Sequence, residues 1–569
     1  MTVSIPRRAV ALIAVGVLAA ATLPLAFSAP ANGDASGGTP GVPRADASQL
    51  SLGFDYGCAV VGAGGLRCWG GGGEGQLAQG NPGSVGDSPG ESTVPVDLGP
   101  GRSAVAVGAG DYHACVILDT GQVRCWGYNS SGQLGQGHTD KIGNDPGEST
   151  VPVDLGPGRT ALAIAAGGYH TCAILDTGQV RCWGYGGYGQ MGQGNTSDVG
   201  NDPGETTVAI DLGPGRTALA ISAGYGHTCA VLDNGQVRCW GYNASGQLAQ
   251  GNTDNIGDTP GETTVAVDLG PGRTALALTA GSYHNCAVLD TGQVRCWGFD
   301  SYGQLGQGNT DPIGDTPGET TVAVDLGPGR TARAIAAGGY HTCAILDTGQ
   351  LRCWGNNTDG QLAQGNADSV GDSPGETTTA VDLGAGRTAR AVEAGEYHTC
   401  AVVDTGRLSC WGLGTSGQLG RGSPDSYGAN PGETPAALPA IDLGGQLVGR
   451  DSDGDGVRDA VDACPTVAGG RPNGCPEAVL KGKKVVLDTV LTKKKASAKC
   501  PAKATVTVKT KTKAGPLKVV KKLKTKTVAT GCAVKGKVKL SAKPKKTAKT
   551  KVKITGTKLK TKRLVAVKP

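Results

Sequence analysis

A tryptophan recurs every 57 residues through most of this chain of 569 residues. Self-similarity at a fixed period of this length indicates a solenoid or a propeller, in which one structural unit is repeated side by side. Seven periods fill residues 49–448 with almost no variation in length, and the 97 glycines of the chain indicate many turns rather than helices. The repeated residues are Trp69, Trp126, Trp183, Trp240, Trp297, Trp354 and Trp411.

Each period contains a predicted β-hairpin whose turn sets the pairing of its two strands. In the third period one short apolar strand ends at Leu175, residues 176–178 form the turn, and Gln179 begins the returning strand. A three-residue loop of this kind has glycine last, in the left-handed region. Counting outward from the turn places Cys172 opposite Cys182, in a non-hydrogen-bonded pair whose Cα atoms approach to about 4.5 Å. A disulfide is sterically possible at that separation.

The same cysteine spacing occurs in all seven periods, which favours seven disulfides over metal sites. Zinc sites typically use a Cys-x2-Cys knuckle, which these pairs lack. An even number of cysteines, 18 in all, is also typical of an exported protein. The predicted pairs are Cys58–Cys68, Cys115–Cys125, Cys172–Cys182, Cys229–Cys239, Cys286–Cys296, Cys343–Cys353 and Cys400–Cys410.

The repeat resembles that of the regulator of chromosome condensation family. The resemblance rests on Ala-Gly-x-Tyr-His-Thr-Cys-Ala, on Asp-Thr-Gly-Gln-Val-Arg-Cys-Trp-Gly and on Ser-Gly-Gln-Leu-Gly, and it covers about 400 residues. It implies an all-β, seven-bladed β-propeller with four antiparallel strands per blade. Members of this family include a nuclear exchange factor, a plant photoreceptor and secreted β-lactamase inhibitory proteins, so the resemblance constrains fold more than function.

The N-terminal segment is typical of a secretory signal peptide. Arg7 and Arg8 precede an apolar run that reaches Phe27, and a small-residue site follows before Ala31. A membrane anchor is the alternative, because the run is about one bilayer long. We therefore expect residues 1–31 to be a signal peptide and 32–48 a flexible linker. The mature protein is expected to be secreted or to be associated with the cell envelope.

Residues that repeat in every blade are more typical of structure than of catalysis, which needs one asymmetric site. We therefore expect each of the six repeated histidines to bond to backbone inside its own blade and each tryptophan to fill the core of its blade. The Pro-Gly-Glu loops predict carboxylates that cap a turn, with weak calcium loops as the alternative. The sequence has no nucleophile elbow and no His-Glu-x-x-His motif, so the chain is predicted not to be an enzyme. The histidines are His113, His170, His227, His284, His341 and His398.

Residues that vary between blades are better candidates for ligand binding. The positions just after each Trp-Gly are rich in tyrosine and asparagine, a composition typical of antibody binding loops. These loops are expected to form one rim that recognises a protein or a glycan, although local packing is an alternative. The predicted rim residues are Tyr128, Asn129, Tyr185, Tyr188, Tyr242, Asn243, Phe299, Tyr302 and Asn356.

An acidic segment follows the propeller at residues 449–476 and matches the ligand spacing of a calcium loop. Oxygen ligands come from positions 1, 3, 5, 7, 9 and 12 of such a loop, with glycine at position 6. Here Gly456 takes position 6, and Cys464 and Cys475 are expected to form a disulfide. The segment resembles a thrombospondin type 3 repeat, with a metal-free acidic linker as the alternative. The predicted Ca²⁺ ligands are Asp451, Asp453, Asp455, Val457, Asp459 and Asp462.

The last segment, residues 477–569, contains 30 basic and two acidic residues, a net charge of about +28. Alternating apolar and polar residues predict a small β-sandwich with a Cys500–Cys532 disulfide. A disordered basic tail is the alternative. The charge would attract an anionic envelope polymer. The segment has no aromatic residue to stack on bases, so nucleic acid is not expected as a partner.

Together these features predict a secreted or envelope-associated binding protein. The propeller rim would recognise a protein or glycan, the linker would bind calcium, and the basic domain would attach to the envelope. An enzyme inhibitor of the β-lactamase-inhibitor type is the first alternative, and a propeller hydrolase is the second.

Overall fold

The computed structural model describes residues 48–445, together with seven strands between residues 478 and 566. The predicted signal peptide, most of the predicted linker and the acidic segment 449–476 lie outside the described residues. Among the described residues, no helix is long and apolar enough to cross a membrane.

Seven three-stranded antiparallel sheets form the propeller, each from consecutive strands. The first four sheets contain β1 (Leu50–Leu52), β2 (Tyr56–Val61) and β3 (Gly65–Gly70); β4 (Ala104–Ala109), β5 (His113–Leu118) and β6 (Val123–Gly127); β7 (Ala161–Ala166), β8 (His170–Leu175) and β9 (Val180–Gly184); β10 (Ala218–Ala223), β11 (His227–Leu232) and β12 (Val237–Gly241). The last three contain β13 (Ala275–Ala280), β14 (His284–Leu289) and β15 (Val294–Gly298); β16 (Ala332–Ala337), β17 (His341–Leu346) and β18 (Leu351–Gly355); β19 (Ala389–Ala394), β20 (His398–Val403) and β21 (Leu408–Gly412).

The hairpin register is the predicted one, and all seven propeller disulfides are present. Cys172 pairs with Cys182 across β8 and β9, and the two Cα atoms lie 4.1 Å apart. The other six blades repeat this pairing and this Cα separation. The turn glycine that sets the register, Gly178, has φ of 79°. Its left-handed conformation ends the three-residue loop as the sequence predicted.

The fourth strand that the family resemblance implied is reduced to separate contacts. In the third blade the outer segment touches β9 at an isolated bridge between Gly184 and Val199, and again where the Ile210 N–H donates to the Val180 carbonyl. A short 3-10 turn and its Pro-Gly sequence lie between these two points, so a continuous ladder cannot form. Six blades have this turn, at Glu91–Thr93, Glu148–Thr150, Glu205–Thr207, Glu262–Thr264, Glu319–Thr321 and Glu376–Thr378.

The tryptophans are buried as predicted, but they lie where neighbouring blades meet rather than only inside the core of one blade. All seven side chains are fully buried. Trp240 donates from Nε1 to the Gln190 carbonyl of the preceding blade at 3.0 Å. Trp69 makes the equivalent bond to Gln418 and so joins the first blade to the last at 2.9 Å. Six of the seven tryptophans therefore contribute both apolar burial and a directional bond to a neighbouring blade, whereas Trp183 Nε1 has no partner among the described residues.

The repeated histidines connect neighbouring blades through side-chain bonds, so the prediction that they bond to backbone inside their own blades is wrong. His341 is fully buried, and its Nε2 lies 2.8 Å from Thr399 Oγ1 in the next blade. The Thr399 hydroxyl already donates to the Gln361 carbonyl, so it accepts from an Nε2–H of the histidine. His398 faces the first blade, where Gly57 replaces the threonine, and neither ring nitrogen of His398 has a partner among the described residues. The ring of blades therefore closes without this one bond.

This difference between two equivalent histidines gives a matched pair of variants. We expect His341→Phe to cost about 1 kcal/mol more than His398→Phe in free energy of unfolding, because only His341 loses a hydrogen bond. Denaturant titration of both variants measures the difference. Equal losses in the two variants would contradict a stabilising role for the histidine–threonine bond.

The seven C-terminal strands form a second antiparallel unit. They are β22 (Ala478–Lys481), β23 (Lys484–Leu491), β24 (Lys503–Thr512), β25 (Gly515–Val528), β26 (Gly531–Lys539), β27 (Thr550–Thr555) and β28 (Lys562–Ala566), paired in the order β22-β23-β26-β25-β24-β27-β28. The long strand β25 pairs with β24 through its first part and with β26 through its last part. β25 is therefore shared by two groups of strands, and the predicted β-sandwich stays a prediction. The predicted Cys464–Cys475 and Cys500–Cys532 disulfides lie outside the described side chains.

Candidate binding face

Seven aromatic side chains form a closed ring around the propeller axis. They lie in the loops that join the first and second strands of each blade, such as the loop between β4 and β5. Neighbouring ring centroids are 5.5 to 6.2 Å apart, within the usual range for aromatic pairs. All seven are half-buried. In order around the axis they are Phe54, Tyr112, Tyr169, Tyr225, Tyr283, Tyr340 and Tyr397.

The ring stays closed although two blades depart from the repeat. In five blades the tyrosine directly precedes the repeated histidine. Phe54 and Tyr225 stand one position earlier in their loops. Tyr225 nevertheless lies between Tyr169 and Tyr283, at 5.6 and 5.5 Å. The seven blades therefore present one aromatic side chain each to the same ring.

The six aromatic residues of the predicted rim extend this ring outward. The loop after the third strand of a blade lies at the same end as the loop before the second strand, because the two strands are antiparallel. Tyr128 contacts Tyr169 at 6.1 Å, and Tyr302 contacts Tyr340 at 5.5 Å. Phe299 also contacts Tyr340, at 6.1 Å. Tyr188 links the other two predicted residues, with ring centroids 5.5 Å from Tyr185 and 4.9 Å from Tyr242.

The three asparagines of the predicted rim have a different place. Asn129 is fully buried, where its Nδ2 donates to the His138 and Asp140 carbonyls and its Oδ1 accepts from Leu134 N–H. Asn243 is buried in the same way. Asn356 is 5% exposed, and its Oδ1 accepts from Thr358 and Gln361. These amides hold the loops in shape. The prediction that they contact a ligand is therefore corrected, because they support the rim from inside.

A narrow cavity of about 60 Å³ lies on the axis inside the aromatic ring. Its wall contains one glycine from each blade, and neighbouring blades approach so closely there that backbone hydrogen bonds connect them. The Gly339 N–H donates to the Gly395 carbonyl at 3.1 Å, and the Glu396 N–H donates to the Gly53 carbonyl at 3.3 Å. Side chains at these glycines would collide with the next blade. The wall glycines are Gly53, Gly110, Gly167, Gly224, Gly281, Gly338 and Gly395.

Two carboxylates lie at the mouth of this cavity. Asp111 and Glu396 occupy the position after the wall glycine in their blades. Ser282 donates from Oγ to Glu396 Oε2 at 2.6 Å, although the two residues are two blades apart. The bond is possible because the intervening blade has Gly339 there, where a side chain would collide with the Glu396 carboxylate. Variation between blades at this single position therefore makes the mouth asymmetric.

Burial and mutual repulsion change the ionisation of these groups. Burial raises the pKa of Asp111 to about 8, and the nearby Glu396 and Asp55 carboxylates add to the shift. Burial also raises the pKa of Glu396, against the lowering effect of its bond from Ser282. Burial and the Asp111 charge raise the pKa of Tyr112 to about 12. These shifts favour the protonated form of both carboxyl groups, whereas a nearby cation would favour the ionised form.

The propeller as a whole is strongly acidic. Residues 48–445 contain 17 lysine and arginine residues against 39 aspartate and glutamate residues, a net charge of about −22. Lys141 is the single lysine in that range. It forms an ion pair with Glu74, and its Nζ lies 5.6 Å from the centroid of the Tyr128 ring.

The Pro-Gly-Glu glutamates act as caps, one of the two roles weighed from the sequence. Glu205 Oε2 accepts from the Gly200 and Asp202 N–H groups at 2.8 and 3.0 Å. Equivalent glutamates in the other blades make the same two bonds. Within the part of the chain that the structure describes, no cluster of three metal-ligating side chains is present. The predicted Ca²⁺ ligands Asp451 to Asp462 lie outside that part.

The sequence reasoning missed the axial ring and its two carboxylates. A tyrosine precedes the histidine in five blades, and residues that repeat in this way are more typical of a structural role. The signal that was available is the variable residue before that tyrosine, which is Asp111 in one blade, Ser282 in another and Glu396 in a third.

Comparison with known proteins agrees with this architecture. The chain is 43% identical over 72 residues to the mitochondrial RCC1 domain-containing protein RUG3 of Arabidopsis thaliana, and 38% identical over 80 residues to the ultraviolet-B receptor UVR8 of the same plant. These matches cover 13% and 14% of this chain, and 15% and 17% of the two relatives. The chain thus spans less than a fifth of the length of either relative.

Solved structures of yeast RCC1 (Prp20) from Saccharomyces cerevisiae share the fold. One, bound to Kap60, matches with a TM-score of 0.53 at 20% identity and covers 70% of this chain and 85% of the yeast chain. A second structure of Prp20p matches with a TM-score of 0.52 at 19% identity, over 69% of this chain and 86% of the yeast chain. The family model described as the RCC1-like domain matches residues 65–448, and this chain therefore belongs to the RCC1-like domain family.

Proposed function

We propose that this protein is a binding protein that recognises a macromolecular partner, a protein in the first place, through the aromatic face of its propeller. The observation that carries the proposal is the closed ring of seven aromatic side chains, extended outward by the predicted rim aromatics. Half-buried aromatic side chains are enriched at the energetic centres of protein interfaces, because they supply large apolar area at little cost in conformational entropy.

The comparisons support a binding role without naming a partner. Yeast Prp20p binds Gsp1p and histones. This likeness, at 19% identity, concerns fold alone. The aromatic face of the present chain is the feature that carries the proposal from the fold to this protein. No catalytic role is part of the proposal.

The setting of this binding is also a proposal. We infer an exported protein from the N-terminal segment and from the seven disulfides, which persist in oxidising compartments. Attachment of the basic C-terminal domain to an anionic envelope polymer follows from its charge of about +28.

Calcium binding at residues 451–462 rests on ligand spacing. Calorimetric titration of the full chain with Ca²⁺ tests it, since Asp453→Asn with Asp455→Asn should abolish the binding heat.

The binding proposal is tested by removing rim aromatics from the full-length protein. We expect Tyr188→Ala combined with Tyr302→Ala to weaken capture of the partner at least 30-fold, because central aromatic contacts commonly contribute 2 kcal/mol or more each. The measurement is affinity capture from extracts and washed envelopes, followed by titration of the enriched partner. The control is Val265→Ala, which removes an apolar side chain that is 53% exposed and lies outside the ring.

High salt distinguishes the two possible binding sites, and periodate distinguishes a glycan partner from a protein partner. A partner that is lost in the tyrosine variant, kept in the valine variant and resistant to salt supports the aromatic face as the binding site. Capture that persists in the tyrosine variant and disappears in high salt would place binding on the basic domain and overturn the proposal. Periodate treatment of the extract removes a glycan partner and leaves a protein partner.

A further inference from the structure

We propose that the axial mouth of the propeller is a socket for a lysine side chain of the partner. The inference rests on the proposed function and goes further, because it assigns the chemical class of the group that enters the ring and the residues that receive it. The socket consists of the seven-membered aromatic ring, with Asp111 and Glu396 inside it.

The aromatic ring is the first part of the argument. The face of a phenol or phenyl ring attracts a cation within about 6 Å of its centroid, and several rings around one point add their contributions. Seven centroids spaced 5.5 to 6.2 Å apart in a closed ring lie about 6–7 Å from its axis, at the outer limit of this attraction. An apolar group would gain contact area there as well, so the rings alone do not select a charge.

The two carboxylates supply that selection. Asp111 and Glu396 line the cavity from the two blades that flank the first blade, and Ser282 fixes the Glu396 carboxylate over Gly339. Among the ion pairs of the described residues, none involves Asp111 or Glu396. Two partly desolvated carboxylates without a basic partner destabilise each other, and a cation placed between them removes that cost.

The size of the cavity and the charge of the propeller favour lysine in particular. A cavity of about 60 Å³ is large enough to receive an ammonium and the adjoining methylene groups. The net charge of about −22 on residues 48–445 steers a basic partner toward this surface. The same face contains an example of the arrangement, since the Lys141 ammonium pairs with Glu74 beside the Tyr128 ring.

The test uses two short peptides that differ only in charge. The probe is acetyl-Gly-Lys-Gly-amide, and its control is the same peptide with norleucine, which keeps the length and apolar stem of lysine without the ammonium. Binding to the full-length protein is followed by NMR with ¹³C-labelled tyrosine rings. We expect the lysine peptide to shift resonances of the axial tyrosines at millimolar concentration, at least tenfold below the concentration that the norleucine peptide needs.

Variants assign the effect to the mouth. Asp111→Asn with Glu396→Gln should reduce the affinity for the lysine peptide at least tenfold, and Asp254→Asn, which neutralises an exposed carboxylate in an outer loop, should leave it unchanged. Circular dichroism confirms that each variant is folded. Equal affinity for the two peptides, or equal loss in Asp254→Asn, would overturn the proposal.

Two further comparisons show how an absence of binding is to be interpreted. The protein's own lysines are acetylated and the titration is repeated, because a lysine of the C-terminal domain that occupies the mouth would hide the probe. Absence of lysine-peptide binding before and after acetylation overturns the socket. If the lysine peptide binds but affinity capture finds no partner that depends on the rim aromatics, the proposed function fails while the socket stands.

Discussion

Reduction of the seven propeller disulfides is expected to unfold the propeller. Each disulfide closes a loop with a sequence separation of 10 residues. Loop entropy gives such a crosslink about 2–3 kcal/mol, so seven together contribute about 14–21 kcal/mol, which is at least the whole stability of a typical domain. The oxidised protein should therefore remain folded in denaturant concentrations where the reduced protein has lost its tertiary structure.

Guanidinium titrations of the oxidised and reduced protein, followed by tryptophan fluorescence, measure this effect. Because the tryptophans lie at the blade interfaces, their emission reports separation of the blades. The double variant Cys172→Ala with Cys182→Ala isolates one crosslink and should lose about 2–3 kcal/mol. A reduced protein as stable as the oxidised one would show that the hairpins need no crosslink and that packing alone holds the blades.

The second large effect is a stability maximum near pH 6.5 with a steep loss on acidification. Burial lowers the pKa of His113 and His227 to about 4, and that of the other four repeated histidines to about 3. The unfolded chain binds protons at these histidines below about pH 6.5 and the native chain does not. Stability that is fully present above that pH is therefore lost as the pH falls toward the native values, by up to about 1.4 kcal/mol per pH unit for each histidine.

Three buried carboxylates act in the opposite direction. Burial raises the pKa of Asp111, Asp300 and Glu393 to about 8. The native state therefore binds more protons at these groups than the unfolded state between about pH 4 and 8, so stability falls as the pH rises through that range. From pH 8 down to 6.5 only the carboxylates titrate, and stability should increase. Below about pH 4.5 the unfolded carboxylates are protonated too, and the histidines act without opposition.

Free energies of unfolding at pH 8, 6.5, 5 and 4 test both parts. His398→Phe removes one titrating histidine that makes no hydrogen bond among the described residues. It should therefore reduce by about one the number of protons that the chain takes up on unfolding in acid, and so make the loss of stability less steep. The control is Asp254→Asn, which changes an exposed charge. A stability that decreases steadily from pH 8 to pH 4, or an acid limb that His398→Phe leaves unchanged, would show that other groups govern the transition.

The local turn chemistry explains how much of the fold could be predicted. The position of Gly178 fixed the hairpin register, and the register fixed the Cys172–Cys182 pair, so one turn repeated seven times predicted seven disulfides. The period of 57 residues gave the number of blades. The reduced outer strand was not predictable in this way, because it depends on where a Pro-Gly turn comes to lie against another strand.

The candidate site was only partly predictable, because it depends on how the blades are arranged in space. The rim aromatics were found from their variation, and six of them lie on one face. The asparagines at neighbouring positions vary as well, yet Asn129 and Asn243 turn inward to bond with their own loops. The axial ring is formed by residues 57 or so positions apart, and neither propensity nor spacing shows that seven of them meet around one point.

The closed aromatic ring has a consequence for how this gene could change length. Every described blade is one uninterrupted stretch of chain, so unequal recombination between repeats would add or delete a whole blade without breaking a strand. A change of that kind would nevertheless resize the central opening, since the opening is bounded by one aromatic side chain per blade. A protein with six or eight units would keep the hairpins and lose the fit at the axis. Selection on the axial opening would then hold the repeat number at seven, even though each repeat is locally self-sufficient.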